Sequence, residues 1–478
     1  MNDSRVTSVE PNPPAGSSGP PVPARTGHWK PVLTLLLLSP AVGELLSGSS
    51  PPLQFFNPLF LLLLVGLYGC GALLIREMAI RHQLNSAGIL LLGAAYAIVE
   101  EGLTCKSFFN PCWTDTGFLS VYGRTWGVNW VWTFGLTFYH AVVSITVPIF
   151  LTEALFPLRS GEPWLRRRGW KLAGASLGLV VVLGFLFFDN RQFHLIEIKD
   201  AVGLAQRLNT PAGPIDQFVL RQFTVKNQAL VRQAVSTKTD SPDLRHALQD
   251  ELNRLLPRAD LGSADRFATV NLPEKLRGQL AHPPRGDKLV EFNRALLERA
   301  YPESLATRQS YPYRPAWWLT LGCVVSIGAL LVLALRSRTR PSLWAMTSTL
   351  RRPWLTGLAF TAGFVLVGFV LPSLVEHGLK LPAVVACALW CPLSVLLARL
   401  LMRTDSASDH VWRRGLWALG IISPWVLFAV ILGVSVQMIG AKSFSGMTLV
   451  ALGFALAILG LAIKWTRRLN PVVASPGL

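Results

Sequence analysis

Charge is scarce in this chain. Asp, Glu, Lys and Arg make up 15% of its 478 residues, against 51% hydrophobic residues. A soluble protein of this length needs far more polar surface, so a free-standing soluble enzyme or binding module is excluded. Cysteine is also sparse. Cys70, Cys323, Cys387 and Cys391 lie in hydrophobic segments and read as small core residues, and no further His or Cys completes a metal set around Cys387 and Cys391. Cys105 and Cys112 flank one loop, where an oxidising compartment would allow a disulfide. No glycine-rich phosphate loop occurs, so a nucleotide cofactor is not expected. Residues 1–29 are rich in Pro, Gly and Ser and hold no apolar core, which predicts a disordered tail and no cleavable signal peptide.

What is abundant is long apolar runs. A spanning helix needs about 20 mostly apolar residues. Ten stretches qualify, near 31–47, 55–75, 86–104, 130–156, 170–188, 315–335, 355–375, 381–402, 415–437 and 447–466. The fold class is therefore all-α, a polytopic membrane protein of about ten transmembrane helices in a lipid bilayer. Arg and Lys follow every even-numbered stretch, as at Arg76 and Arg81, Arg166 to Arg168, Arg336 to Arg340, Arg413 and Arg414, and Arg467 and Arg468. The loops around 48–54, 376–380 and 438–446 hold almost none. This is the positive-inside bias expected of a bacterial inner (plasma) membrane protein with both termini cytoplasmic. It accounts for most of the net charge of +18 without a nucleic-acid partner.

The expected organisation is a cytoplasmic tail (1–29), helices 1–5 (30–188), an extracytoplasmic insert (189–314), helices 6–10 (315–466) and a second cytoplasmic tail (467–478). The insert carries 19 basic and 15 acidic residues, too many to enter a membrane. It reads as mostly helical, with helical spacing over 214–235, a helix start at Ser241-Pro242 and another helix over 287–301. It lacks any ligand cluster, so it is expected to be a lid or a docking surface for a protein or peptide partner. No motif repeats between the two halves.

The polar residues that remain in apolar surroundings lie in the first third of the chain: Glu44, Glu77, Glu100, Glu101, His140 and Glu153. A charged side chain at the bilayer centre costs about 2.5–3.5 kcal/mol, so each such residue is a candidate for function. Chain direction puts Glu44, Glu100, Glu101 and His140 in one layer between the midplane and the outer face, with His140 roughly 15 Å below Trp126, Trp130 and Trp132 at 1.5 Å per residue. Arg76, Glu77 and Glu153 fall in the opposite layer and read as a structural ion pair. Neighbouring residues on an α-helix point about 100° apart, so one of Glu100 and Glu101 is expected to face His140 and the other helix 1 or helix 2. Gly93, Ala97 and Glu101 form a small-residue stripe for close helix approach. Tyr96 and Glu100 lie one turn apart, as do His140 and Ser144, with Pro148 beyond. The loop from Lys106 to Trp130 reads as interfacial, with a re-entrant cover over the site as the alternative.

A carboxylate in apolar surroundings is a general acid or base, and a second carboxylate with an imidazole orients water or holds a divalent metal, for which His140, Glu100 and Glu101 are the candidate ligands. The lead reading is an intramembrane hydrolase or peptidase-like site, with Glu100 or Glu101 activating water, His140 orienting it and Glu44 in support. The alternatives are a proton-coupled secondary transporter using the same residues, and a non-catalytic assembly subunit.

The stretches GELLSGSSPP, YGCGALLIREMAIR, GAAYAIVEEGLTCKSFFNP and LTFYHAVVSITVPIFLTEALFP resemble a set of uncharacterised bacterial polytopic membrane proteins over about the first 160 residues. This resemblance implies no activity. A looser similarity is to the CAAX-protease and bacteriocin-processing superfamily of intramembrane peptidases. Glu100 and Glu101 match that family's glutamate pair and His140 its first histidine. The chain departs from the pattern at Cys105, where the family has Arg, at Leu136, where it has an aromatic, and in lacking a second intramembrane His followed by Asn or Asp.

Overall fold

The computed structural model describes residues 28–110, 113, 122–187, 192–209, 219–221, 223–255, 305–312, 317–337, 353–376, 379–393, 410–438 and 446–469. Residues 1–27 and 470–478 of the expected tails, Cys112 and the segment 287–301 lie outside the described residues. The fold is an all-α polytopic membrane protein. Helix α1 is Trp29–Pro40, continued by a π-helical turn over Ala41–Leu45. Then come α2 (Pro58–Arg81), α3 (Ser86–Thr104), α4 (Trp130–Leu155) and α5 (Arg167–Phe187). After the insert follow α9 (Trp317–Arg336), α10 (Pro353–Val375), α11 (Ala383–Leu393), α12 (Val411–Ser435) and α13 (Met447–Arg468).

Each of the ten apolar stretches thus contains a helix, but among the described residues eight, not ten, are long and apolar enough to cross a membrane. The first stretch ends early because Gly48 turns at φ +81° ahead of Pro51 and Pro52. The eighth is described only as far as Leu393. Helix starts follow local chemistry. The side chains of Asn57, Asn85 and Asn129 accept from the first-turn amides of α2, α3 and α4, satisfying donors that a helix leaves open.

Helix α4 is the most buried of the eight long helices and α5 the least. Its upper half packs on α3, and its lower half packs on α12 and α1. Two close approaches set this arrangement. A Cβ on Gly93 of α3 would sit 2.8 Å from Ala141 Cα of α4, so the small-residue stripe meets the histidine helix. Where α10 crosses α12, a Cβ on Gly357 would lie 2.3 Å from Trp417 O. Without water to drive helices together, such contact supplies much of the association. The core continues through Phe138, Phe360, Phe364, Trp390, Trp417 and Trp425. The exposed Leu, Val and Phe side chains of α5, α9 and α13 form the lipid-facing surface.

The insert, expected to be mostly helical, also holds a pair of strands. Gln192–Ile198 (β3) pairs antiparallel with Leu305–Pro312 (β4), from Gln192↔Pro312 to Ile198↔Leu305. These strands tie together the chain leaving α5 and the chain entering α9. Between them lie α6 (Ala201–Asn209), α7 (Val225–Thr237) and α8 (Pro242–Leu255). Leu204, Leu208, Val231, Leu244, Leu248 and Leu252 are buried there. Buried Glu251 accepts from Thr224 N at 2.7 Å and Asn227 Nδ2 at 2.9 Å. A smaller antiparallel ladder, Arg124–Thr125 (β1) with Val128–Asn129 (β2), turns through Trp126 (φ +55°) and Gly127 (φ +75°) before α4.

The α3–α4 contact is testable by one methyl group. Gly93→Ala should destabilise the detergent-purified protein by about 1–3 kcal/mol, the usual cost of overpacking. Gly453→Ala, where a Cβ meets nothing within 4 Å, should be neutral or stabilising in the same thermal melt.

Candidate functional site

Four π-helical turns converge on one layer of the bundle: Ala41–Leu45, Val65–Gly69, Ile98–Thr104 and His140–Thr146. Wider winding of this kind inserts a residue into a helix and frees backbone groups, and it concentrates at functional sites. The turns carry Glu44, Tyr68, Glu100 with Glu101, and His140 with Ser144, respectively. Pro148 shows one cause. It has no N–H for the carbonyl of Ser144, and the hydroxyl of Ser39 takes that place at 2.7 Å while lying 3.2 Å from Tyr68 O. Tyr139 Oη similarly donates to Gly43 O at 2.7 Å.

At the centre is His140. Its Nε2 is 3.0 Å from Glu101 Oε1 and its Nδ1 is 3.2 Å from Glu100 Oε2. Ser144 Oγ lies 3.1 Å from the same Nδ1. The expectation that only one of the two glutamates faces the imidazole is corrected. The π-helical turn changes the angle between consecutive side chains, and the ring offers a nitrogen to each. Glu100, Glu101 and His140 are all buried, and one ligand atom from each lies within 4.8 Å of the others.

Glu44 stands behind this group. Its carboxylate accepts from Tyr68 Oη and, at 2.5 Å, from Ser50 Oγ. The Tyr68 ring centroid is 5.9 Å from that of His140, so the phenol stands between Glu44 and the imidazole. Tyr96 closes another side at 6.5 Å. Its hydroxyl is buried without a hydrogen-bond partner.

On the side facing the Trp-rich end, the chain after α3 folds back over the site. Lys106 adopts φ +62°, and Lys106, Ser107, Phe108 and Asn110 are buried. Ser107 Oγ donates to Glu101 Oε2, and Trp132 Nε1 donates to Ser107 Oγ at 3.2 Å. Residues 105–110 therefore fold over the site, as in the alternative reading of this loop. Tyr68, Ser107 and Trp132 were not singled out as site residues from the sequence, since neither position nor spacing distinguishes them before the helices are placed. The possible Cys105–Cys112 disulfide involves a cysteine outside the described residues.

The second polar group sits at the Arg-rich end. Arg76 Nη1 is 3.1 Å from Glu77 Oε1, and Nε is 3.4 Å from Glu153 Oε1. Arg76 also donates to the carbonyls of Arg159, Ser160 and Glu162 and stacks 3.6 Å from the Trp164 ring centroid. Glu77 accepts from Trp164 N at 2.6 Å. A cation whose donors are spent on loop carbonyls holds the turn between α4 and α5 and leaves nothing to offer a substrate.

Residues 33–206 match the model of an uncharacterized membrane protein family. That stretch includes Glu44, Tyr68, Tyr96, Glu100, Glu101, Ser107, Trp132 and His140. No curated protein and no solved structure matches the chain.

The two polar groups should respond differently to mutation. Arg76→Met removes the buried cation that Glu77 and Glu153 share, leaving them only Arg81 at 3.4 Å and Arg414 at 3.7 Å, and should cost about 3 kcal/mol, read as loss of folded protein on size exclusion in detergent.

Proposed function

We propose that the chain is an intramembrane hydrolase whose water-activating centre is Glu100, Glu101 and His140. The observation that best supports this is the imidazole held by a carboxylate at each nitrogen in an apolar interior. A general base must lie within hydrogen-bond reach of its proton and be oriented by a neighbour, and the cluster has both features. Glu101 is the more exposed glutamate, with 10% of its side chain accessible against 2% for Glu100. It is the residue assigned to take the proton of a water attacking a peptide-like carbonyl. His140 passes a proton to the leaving group, Glu100 fixes the ring, and Glu44 with Tyr68 balances charge behind it.

The positive-inside bias puts the Trp-rich end, and so the site, toward the outer face of a bacterial inner membrane, with both termini in the cytoplasm. The insert starts at the same end: a Cβ on Gly184 near the end of α5 would touch Thr104 Cγ2 at 2.2 Å, at the end of α3. This supports assigning it to bring a protein or peptide partner to the site.

In a deletion strain, Glu100→Gln, Glu101→Gln and His140→Ala should each fail to restore the wild-type phenotype while the variants still reach the membrane folded. Loss of one acid–base group corresponds to about 10²–10⁴ in rate. Full rescue by all three variants would overturn the hydrolase. A solute flux that follows a pH gradient and disappears in the same variants would replace it with a carrier.

A further inference from the structure

We infer that Glu100, Glu101 and His140 bind one divalent transition-metal cation of the zinc class. This deepens the hydrolytic reading and rests on it for its chemistry, but its test needs no turnover. Three observations carry it. First, the three residues offer two carboxylate oxygens and one imidazole nitrogen, all within 4.8 Å of one another, from α3 and α4. A tetrahedral catalytic zinc site takes three protein ligands of these types and leaves one position for water. Calcium needs six to eight oxygens and magnesium a near-octahedral shell, so this mixed set of three favours zinc, manganese or iron over either.

Second, the site holds more acid than base, so one carboxylate must either keep a proton or meet a cation. Glu100 and Glu101 both pair with one imidazole, which carries at most one positive charge. Burying an unpaired carboxylate is costly, and a dication neutralises two. Third, one polar atom in the site lacks a hydrogen bond. Tyr96 Oη is buried without one, in a residue 4% exposed, and Glu100 Oε2 meets only the His140 nitrogen at 3.2 Å. The carboxylate oxygen suits a ligand position and the hydroxyl a donor to a metal-bound water.

The surroundings fit a bound histidine. When Nε2 of His140 goes to the cation, Nδ1 keeps Ser144 Oγ at 3.1 Å as an outer partner. Such outer partners fix the tautomer and orientation of metal-bound histidines. Glu44 is set apart, because its two oxygens already accept from Tyr68 and Ser50.

The test uses the full chain purified in detergent, stripped with EDTA and titrated with Zn²⁺, with Co²⁺ as a spectroscopic probe. One equivalent of Zn²⁺ should bind and raise the melting temperature, and Co²⁺ should give the visible bands of a low-coordinate nitrogen–oxygen site. Glu101→Gln, Glu100→Gln and His140→Ala should each weaken Zn²⁺ binding more than about tenfold, beyond the low end for losing an outer partner. Glu44→Gln should keep the full equivalent. If a ligand variant does not fold, the wild-type Co²⁺ spectrum still decides whether a nitrogen–oxygen site exists. Absence of stoichiometric Zn²⁺ and Co²⁺ binding by folded wild-type protein overturns the metal, as does unchanged binding in all three ligand variants. Neither result touches the hydrolase if the same variants still fail to complement. Stoichiometric binding by a wild type whose ligand variants complement fully would keep the metal and remove the hydrolase.

Discussion

The imidazole of His140 lies between two carboxylates, 3.0 Å from Glu101 and 3.2 Å from Glu100, in the buried interior of the bundle. Much of the surrounding structure follows from making that contact tolerable. A carboxylate in hydrocarbon has no water to stabilise it, so protein groups must replace the solvent. Ser107 and Trp132 do so for Glu101, Ser144 for the imidazole, and Tyr68 and Ser50 for Glu44. The cover formed by residues 105–110 and the close packing of Gly93 on Ala141 bring these donors to the acids. Lipid meets the outer helices instead.

Backbone winding makes this geometry accessible. Four helices each widen to a π-helical turn at one level, which both re-aims side chains and frees carbonyls. The freed carbonyls are met by Ser39 and Tyr139, so the cost of irregular backbone at membrane depth is largely offset by local hydroxyls. The Arg76 group at the other end achieves the opposite outcome with similar residue types. There every carboxylate has a guanidinium or an amide, and the arrangement holds a turn.

Much of this was legible in the sequence. Apolar runs located the helices, and the rarity of charge within them isolated Glu44, Glu100, Glu101 and His140. Counting residues along helices of alternating direction put all four in one layer, and the stripe from Gly93 to Glu101 does face α4. Three things were hidden. Both glutamates reach His140 because the turn at Ile98–Thr104 is not α-helical, and an assumed 100° step excluded it. Tyr68, Ser107 and Trp132 are ordinary residues until their helices and loop are placed. The strands at Gln192–Ile198 and Leu305–Pro312 pair across more than a hundred residues, a contact that local spacing does not encode.

Glu101 and His140 act as one buried unit. A double-mutant cycle on thermal unfolding in detergent, using Glu101→Gln, His140→Gln and the pair, measures this most directly. A coupling energy well above about 0.5 kcal/mol is the predicted result, since residues in one buried network are not additive. Effects that add within about 0.5 kcal/mol would mean that the two side chains do not meet, and the account of the site would fail with them.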